Sequence, residues 1–246
     1  MRDSIHGSMD DEILLNGNDL TYDGNSTRLL PGSAPGSIPW DAFDVDIVID
    51  STGVYRKKEQ LQLHLDSGAR RVLVTKPPAD EIDRIVIQGI NHDKINSKDQ
   101  IISTTSSTTQ VLALMLKVLD QNFGIENAMM TNVHAYTSDQ PLADSVRSDL
   151  RRSRSAVENI IPNETWAPDY VSQLLPKFKN KISGMAMNVP VANGSCVDLT
   201  TEMSSMPSIE EVNNAFKDAS ENELTDLIRY TDCLLYTSDA ADERQS

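Results

Sequence analysis

The sequence predicts an α/β fold, and three segments carry that prediction. Two apolar runs rich in β-branched residues, 44–50 and 71–75, are typical of buried strands, and a helix-like segment, 57–66, lies between them. A strand, a helix and a strand within about thirty residues form a parallel βαβ unit. Such a unit places the chain in the α/β class, with ligand sites expected where the strands end, near Ser51–Gly53 and Thr75–Pro77.

The remaining elements of the first half follow from turn residues and short apolar runs. The first forty residues are rich in Asn, Asp and Gly and predict small strands and hairpins, followed by a loop at 31–39. Gly68 marks the end of the first helix. Further strands are predicted at 84–88 and 100–103.

A strongly apolar helix is predicted from about Thr109 to Asn122, and it should be buried because it is apolar on most faces. Ser106, Ser107 and Thr108 precede it. Serine and threonine cap helices well, and the unpaired N–H groups at a helix start attract anions. This junction is therefore a candidate anion site.

The pattern changes after residue 127, where a second sheet is predicted. Strands are expected at 128–136, which carries His134, at 181–187 and at 194–200; helices are expected at 168–175 and 208–220. Ser208 and Glu211 form a capping-box pattern at the last of these. Cys196 lies in an apolar strand and is expected to be a buried, inert thiol.

Composition excludes several classes of function. The chain of 246 residues carries a net charge of −15, which argues against non-specific nucleic-acid binding. No apolar run is long enough to cross a bilayer, and the N-terminus lacks the apolar core of a signal peptide. Two cysteines cannot staple a fold of this size, and the histidines share no metal-ligand spacing. We expect a cytoplasmic protein without a membrane, nucleic-acid or metal partner.

Many short stretches resemble the glyceraldehyde-3-phosphate dehydrogenase family, in collinear order from about Asp3 to Asp232. The stretches are Asp3–Gly7, Ser51–Val54, Gly89–His92, Ile101–Ser103, Ser106–Thr109, Asn122–Ile125, Val133–Thr137, Arg151–Arg154, Asn159–Pro162, Gly184–Met187, Val189–Pro190 and Val197–Thr200. The resemblance implies a partial Rossmann-type parallel-sheet domain plus an α+β catalytic domain with a mixed or antiparallel sheet.

The resemblance also implies domain boundaries. Residues 1–106 resemble an N-terminally truncated NAD-binding domain, because no G-x-G-x-x-G motif is present, and residues 107–232 resemble a truncated catalytic domain. Residues 233–246 fit nothing in the family and are expected to be a non-native tail, a translated sequencing adapter. The alternative is a natural variable tail.

In this family, as the resemblance implies, a cysteine thiolate attacks an aldehyde, hydride leaves to NAD, and phosphate releases the acyl group. Ser107 stands at the cysteine position and His134 at the position of its activating histidine. A serine hydroxyl is a weak nucleophile unless a positioned base removes its proton. His134 is the candidate base; the alternative is that Ser107 simply caps the helix.

Two further departures concern the substrate and phosphate subsites. Asn188 stands where the family has a phosphate-holding arginine, and Trp166 follows Thr165 where the family has glycine, so that an indole would crowd the anion loop. The remaining candidate phosphate donors are Ser106, Thr108, Thr137, Arg154 and Thr165. The candidate cofactor residues, for NAD or NADP, are Ser51, Thr52, Gly53 and Thr75.

Two functions therefore remain open. The first is an oxidoreductase that acts on a small phosphorylated aldehyde with NAD(P) and inorganic phosphate and is impaired in its phosphorylating activity. The second is a catalytically inactive paralogue that serves as an NAD-binding or regulatory subunit. The resemblance implies a homotetramer for the full-length protein, with the Arg147–Arg154 segment reaching a neighbouring subunit.

Overall fold

The structure, a computed structural model, describes residues 2–3, 5, 7–8 and 12–233. The predicted adapter-derived tail, apart from Cys233, lies outside the described residues, as do parts of the Asp3–Gly7 stretch. The chain divides into two compact units. The first contains the residues up to 84 together with 97–103, and the second contains 85–96 and the residues from 104 onward.

Short antiparallel strands open the first unit, as the turn residues predict. Strands β1 (Arg2–Asp3) and β2 (Gly7–Ser8) pair with each other. Strands β3 (Ile13–Asn16), β4 (Asp19–Tyr22) and β5 (Asn25–Arg28) form a three-stranded antiparallel sheet. The tight turn between β3 and β4 uses Gly17 at φ +61°, a conformation that glycine adopts without steric cost.

The predicted βαβ unit is confirmed. It consists of β6 (Ile47–Asp50), α1 (Lys58–Asp66) and β7 (Arg71–Val74), and β6 and β7 pair in parallel. After β8 (Arg84–Ile85), strand β9 (Ile101–Ser103) pairs in parallel with β7, and the sheet order is β6-β7-β9-β8. The carboxyl ends of β6 and β7 therefore lie at one edge, where ligand sites were predicted.

The predicted strand at 84–88 is wrong beyond Ile85. The Asn91 side chain forms hydrogen bonds with the backbone of this stretch. Its Oδ1 accepts from the Ile87 N–H at 2.9 Å, and its Nδ2 donates to the Ile85 carbonyl at 2.8 Å. These bonds replace the partners that a neighbouring strand would supply, and Ile87 is buried in a hydrophobic core instead.

The second unit carries a mixed sheet, as predicted. Its elements are α2 (Ser107–Phe123), β10 (Ile125–Ala135), β11 (Ile161–Asn163), α3 (Ala167–Leu174), β12 (Ile182–Val189), β13 (Ser195–Met203) and α4 (Ile209–Glu221). The sheet order is β11-β12-β10-β13, in which β10 and β12 are parallel and the other pairs are antiparallel. The capping box of Ser208 and Glu211 at the start of α4 is confirmed.

Helix α2 is buried, as its composition predicts. Leu112 and Leu116 are fully buried and lie in one hydrophobic cluster with Met130 of β10, Val171 of α3 and Phe178. Gly124, with φ +70°, ends the helix. This packing fixes the start of α2 against the sheet, and the candidate nucleophile lies at that start.

The prediction that Cys196 is buried is wrong, because its side chain is exposed. Side chains alternate between the two faces of a strand. On β13 the residues that pack against the core are Val197, Leu199 and Met203, so Cys196 has the opposite phase. Apolar neighbours in sequence indicated a strand but did not show which face each residue takes.

We expect Leu112→Ala to lower the free energy of unfolding of the second unit by about 2–5 kcal/mol, since it removes a fully buried side chain and leaves a cavity. Val111→Ala on the same helix is the control, because Val111 is 44% exposed and should cost less than about 1 kcal/mol. Urea unfolding of the two variants measures the difference. Equal losses would contradict the described orientation of α2.

Candidate functional site

The two adjacent serines at the start of α2 have different environments: Ser106 caps the helix, and Ser107 is exposed. Ser106 is the N-cap: its Oγ accepts from the Thr109 N–H at 3.2 Å and lies 2.9 Å from Thr109 Oγ1. Ser107 is the first residue of the helix and is exposed. The alternative that Ser107 is simply the helix cap is therefore wrong, because Ser106 fills that position. The Ser107 hydroxyl lies at a helix N-terminus, where unpaired backbone N–H groups favour negative charge.

His134 lies on the strand face that meets this helix start. Asn132 precedes it by two residues on β10 and therefore shares its face. The Asn132 Nδ2 donates to Thr108 Oγ1 at 3.1 Å, which ties that face to the first turn of α2. The alternation of β10 thus directs Asn132 and His134 to the side of the sheet on which Ser107 begins its helix.

The hydrogen bond of the His134 ring defines its tautomer. Nδ1 lies 2.8 Å from the Ala135 carbonyl oxygen, which can only accept, so Nδ1 carries the proton. In the neutral ring Nε2 is then the unprotonated atom and can accept a proton. His134 therefore meets the chemical requirement of a general base.

Asn188 lies beside His134, and its side-chain amide forms hydrogen bonds with other amide groups of the protein. It is buried on β12, in register with His134 on β10. Its Nδ2 donates to the Ala135 carbonyl at 3.1 Å, and its Oδ1 accepts from Asn163 Nδ2 at 3.2 Å. A neutral amide with both ends bonded offers no charge-assisted contact to a phosphate.

Two arginines of the Arg147–Arg154 segment form ion pairs with aspartates of the protein. Arg152 bridges the Asp139 carboxylate and Asn163 Oδ1, while Arg154 forms an ion pair with Asp144 at 2.6 Å. Arg152 and Arg154 are therefore each paired with a nearby aspartate, and Arg154, a candidate phosphate donor, already has an anionic partner.

Asp139 also engages Thr137, another candidate phosphate donor. The Thr137 hydroxyl donates to the Asp139 carboxylate, and the Thr137 N–H donates to Gln140 Oε1 at 3.1 Å. Partial burial opposes ionisation of Asp139, but this hydroxyl together with Arg152 and Arg147 holds its pKa below the ordinary value. The hydroxyl of Thr137, a candidate phosphate donor, is thus already engaged by an ionised carboxylate of the protein.

Thr165 and Trp166 immediately precede α3. Thr165 Oγ1 accepts from the Ala167 N–H at 3.3 Å, which leaves its hydroxyl proton available to donate. Trp166 is the N-cap residue of α3, and its side chain is 63% exposed. That the indole crowds an anion at Thr165 stays a prediction.

The four candidate cofactor residues surround Asp50 in the first unit. The Asp50 carboxylate accepts from the Thr52 N–H at 2.9 Å and from its O–H at 2.7 Å, and the Thr75 N–H donates to the Asp50 carbonyl at 3.1 Å. Ser51 is exposed, and Gly53 turns the chain at φ +72°. Hydroxyls and backbone N–H groups at the carboxyl edge of a parallel sheet are the kinds of group that bind a nicotinamide dinucleotide, and the cofactor role of these four residues stays a prediction.

Sequence reasoning missed two residues of these sites. Asp50 was assigned only to a strand, although a carboxylate at the end of a buried strand is itself a signal of a structural or binding role. Asn163 was not singled out, and nothing in the sequence indicates that it bonds Asn188 and Arg152. Among residues 12–233, no group of three His, Cys, Asp or Glu side chains could hold a metal ion, and no helix is long and apolar enough to cross a bilayer.

The first unit has a parallel sheet with a polar loop at its carboxyl edge, and in the second unit β10 carries His134 on the face that bonds the first turn of α2. This arrangement is consistent with the class of two-domain dehydrogenases. Residues 1–58 match the model of the glyceraldehyde 3-phosphate dehydrogenase NAD binding domain, and residues 106–246 match that of the C-terminal domain of the same enzyme. The chain belongs to the glyceraldehyde-3-phosphate dehydrogenase family.

Relatives support this membership along nearly the whole chain. Glyceraldehyde-3-phosphate dehydrogenase 2 of Streptomyces avermitilis is 42% identical over 245 residues, which cover 99% of this chain and 73% of that protein. The enzyme of Geobacillus stearothermophilus is 42% identical over 238 residues, covering 96% and 71%. That of Mycobacterium tuberculosis is 39% identical over 246 residues, covering 99% and 72%. The protein is thus an oxidoreductase of an NAD- or NADP-using family.

Proposed function

We propose that the protein oxidises a small phosphorylated aldehyde with NAD or NADP and is impaired in transferring the product to inorganic phosphate. The observation that carries the proposal is an exposed hydroxyl, Ser107, at the start of α2, next to Thr108, which bonds Asn132 on the β10 face that also carries His134. The substrate class and the phosphate follow from the family, as do a cytoplasmic location and a homotetramer of the full-length protein.

The residues divide the chemistry among them. His134 Nε2 accepts the proton of the Ser107 hydroxyl while Ser107 Oγ bonds to the aldehyde carbon. The bound nicotinamide cofactor supplies the acceptor for a hydride. The N–H groups at the start of α2, with the hydroxyls of Thr108 and Thr165, are the remaining donors to an anion.

The impairment has two physical sources. An oxygen nucleophile needs its proton removed and yields an ester, which is a poorer acyl donor to phosphate than a thioester. Asn188 also stands where the family has a guanidinium, and its amide already forms hydrogen bonds with the Ala135 carbonyl and the Asn163 side chain. We therefore expect a lower affinity for the phosphate group of the aldehyde and a slower release of the acyl group to inorganic phosphate.

The second candidate, an inactive paralogue that binds NAD or regulates a partner, is favoured by the internal pairing of Asn188, Arg154 and Thr137. All three are engaged with the protein itself. A subunit that no longer turns over substrate has no need of them as ligands.

Turnover separates the two candidates. The first predicts NADH or NADPH formation from glyceraldehyde 3-phosphate that Ser107→Ala lowers by about 10²–10⁴-fold, the range of positioned proton transfer. Ser205→Ala is the matched control, since Ser205 is exposed and bonds only backbone of Phe123. The second candidate predicts no turnover above background in any of the three proteins, with NAD binding still measurable by calorimetry.

A further inference from the structure

A chain of buried polar groups lies behind the cofactor loop of the first unit. His64 on α1 is 6% exposed and Asp50 at the end of β6 is 4% exposed. The Trp40 indole N–H donates to His64 Nδ1 at 3.1 Å. Because an indole nitrogen can only donate, Nδ1 is unprotonated and the proton of the neutral ring lies on Nε2.

His64 Nε2 lies 3.6 Å from Asp50 Oδ2. Neither atom has a hydrogen-bond partner among the described residues, although both are buried. The other oxygen, Oδ1, accepts both the N–H and the O–H of Thr52, whose own Oγ1 accepts from the Val54 N–H at 3.2 Å. One carboxylate therefore stands between His64 and the loop at 51–54.

We propose that His64 is a positioning residue for the cofactor loop 51–54 and acts on Thr52 through the Asp50 carboxylate. The proposal rests on the proposed cofactor role of Ser51, Thr52 and Gly53. At 3.6 Å the Nε2–H of the neutral ring is too far for a hydrogen bond, but its partial positive charge attracts Oδ2 and favours the carboxylate orientation in which Oδ1 stays on Thr52. Removing that N–H leaves the carboxylate, and with it the loop, less constrained.

The protonation state of His64 follows from its surroundings. Burial lowers its pKa below the ordinary 6.5, and the facing Asp50 carboxylate opposes that shift. Among the described residues, Asp50 is the acidic group that faces the ring, while Trp40 contributes a neutral N–H. The stability linked to the neutral ring is present above the unfolded value of 6.5 and is lost as the pH falls through the lowered pKa of the folded state.

Tryptophan emission tests the first half of this arrangement. The chain has two tryptophans, so a Trp166→Phe background leaves Trp40 as the reporter. Its emission should titrate with a midpoint below 6.5, Asp50→Asn should move the midpoint lower, and His64→Gln should abolish the step. His92→Gln, the control at a histidine of the second unit, should leave the step unchanged. A step that survives His64→Gln would overturn the assignment of the reporter pair.

Amide hydrogen exchange tests the second half. His64→Leu should raise exchange at Thr52 by at least about tenfold, and His64→Gln, which keeps a side-chain N–H directed at Asp50, should restore most of the protection. Unchanged exchange at Thr52 would overturn the proposal. An equal rise throughout β6 and α1 would also overturn it, since it would mean general loosening of the unit.

Cofactor affinity separates this proposal from the proposed function. Calorimetry with NAD should show weaker binding to the His64→Leu chain than to the unaltered and His64→Gln chains. Equal affinity, with the exchange difference present, would overturn the loop's link to the cofactor. Absence of NAD binding in all three would refute the cofactor role, and thus this proposal, while leaving the exchange result as a purely structural coupling.

Discussion

The triple variant Ser107→Cys, Asn188→Arg, Trp166→Gly is expected to gain phosphate-dependent dehydrogenase activity by at least about a hundredfold, the lower end of what positioned proton transfer contributes. The helix N-terminus and His134 Nε2 both favour a thiolate at position 107, so sulfur would be a nucleophile near neutral pH where oxygen is not. Arginine at 188 restores a cation for the substrate phosphate, and glycine at 166 opens the approach to Thr165.

The single variants make the prediction specific. Ser107→Cys alone should gain little phosphate-dependent turnover, because Asn188 still bonds Asn163 and Ala135. It should nevertheless show a reactive thiol. In a background with Cys196 and Cys233 changed to serine, iodoacetamide should modify the new cysteine faster at pH 7 than it modifies an ordinary thiol, and His134→Asn should slow that reaction. A thiol of ordinary reactivity would refute the proposed action of the helix start and His134 on residue 107.

Gly68→Ala is expected to produce the largest loss of stability in the first unit. Gly68 has φ +104°, and an added Cβ would lie 2.6 Å from the backbone nitrogen of Asp41 and 2.5 Å from its Cβ. Neither atom is the end of a flexible side chain, so the backbone itself must move. The conformational strain and the overlap together should cost about 2–4 kcal/mol.

Gly17→Ala is the matched control for that loss. Gly17 also has a positive φ, +61°, but nothing lies within 4 Å of an added Cβ. Strain alone should cost it about 1 kcal/mol. Urea unfolding followed by a first-unit probe such as Trp40 measures both variants, and equal losses would show that contact with Asp41 does not matter.

Periodicity and turn residues predicted most of the fold. The βαβ unit, the buried helix α2 and the mixed sheet follow from local patterns that the structure keeps. The errors arise where the end of a strand or the orientation of a side chain depends on contacts that the local sequence pattern does not show. Asn91 ends the strand at Ile85 by binding its backbone, and Cys196 is exposed because the phase of β13 depends on its pairing with β10.

The candidate site was predictable as a set of positions but not as a set of bonds. The resemblance identified Ser107, His134 and Asn188, and the structure brings their elements together. The sequence could not show that Ser106 rather than Ser107 caps α2, because both are serines and serine is a preferred N-cap residue at either position. It could not show the network through Asn163 and Arg152 either, since those contacts join β11, β12 and a loop.

The pairing of Arg152 with Asp139 and of Arg154 with Asp144 has a consequence for any guest anion. The two carboxylates belong to the same chain as the arginines, so their effective concentration at the guanidinium groups is high and does not depend on the protein concentration. An anion that binds Arg152 or Arg154 must therefore compete with Asp139 or Asp144 for the guanidinium group. The affinity of these arginines for an external anion is therefore lowered by the strength of the internal ion pairs.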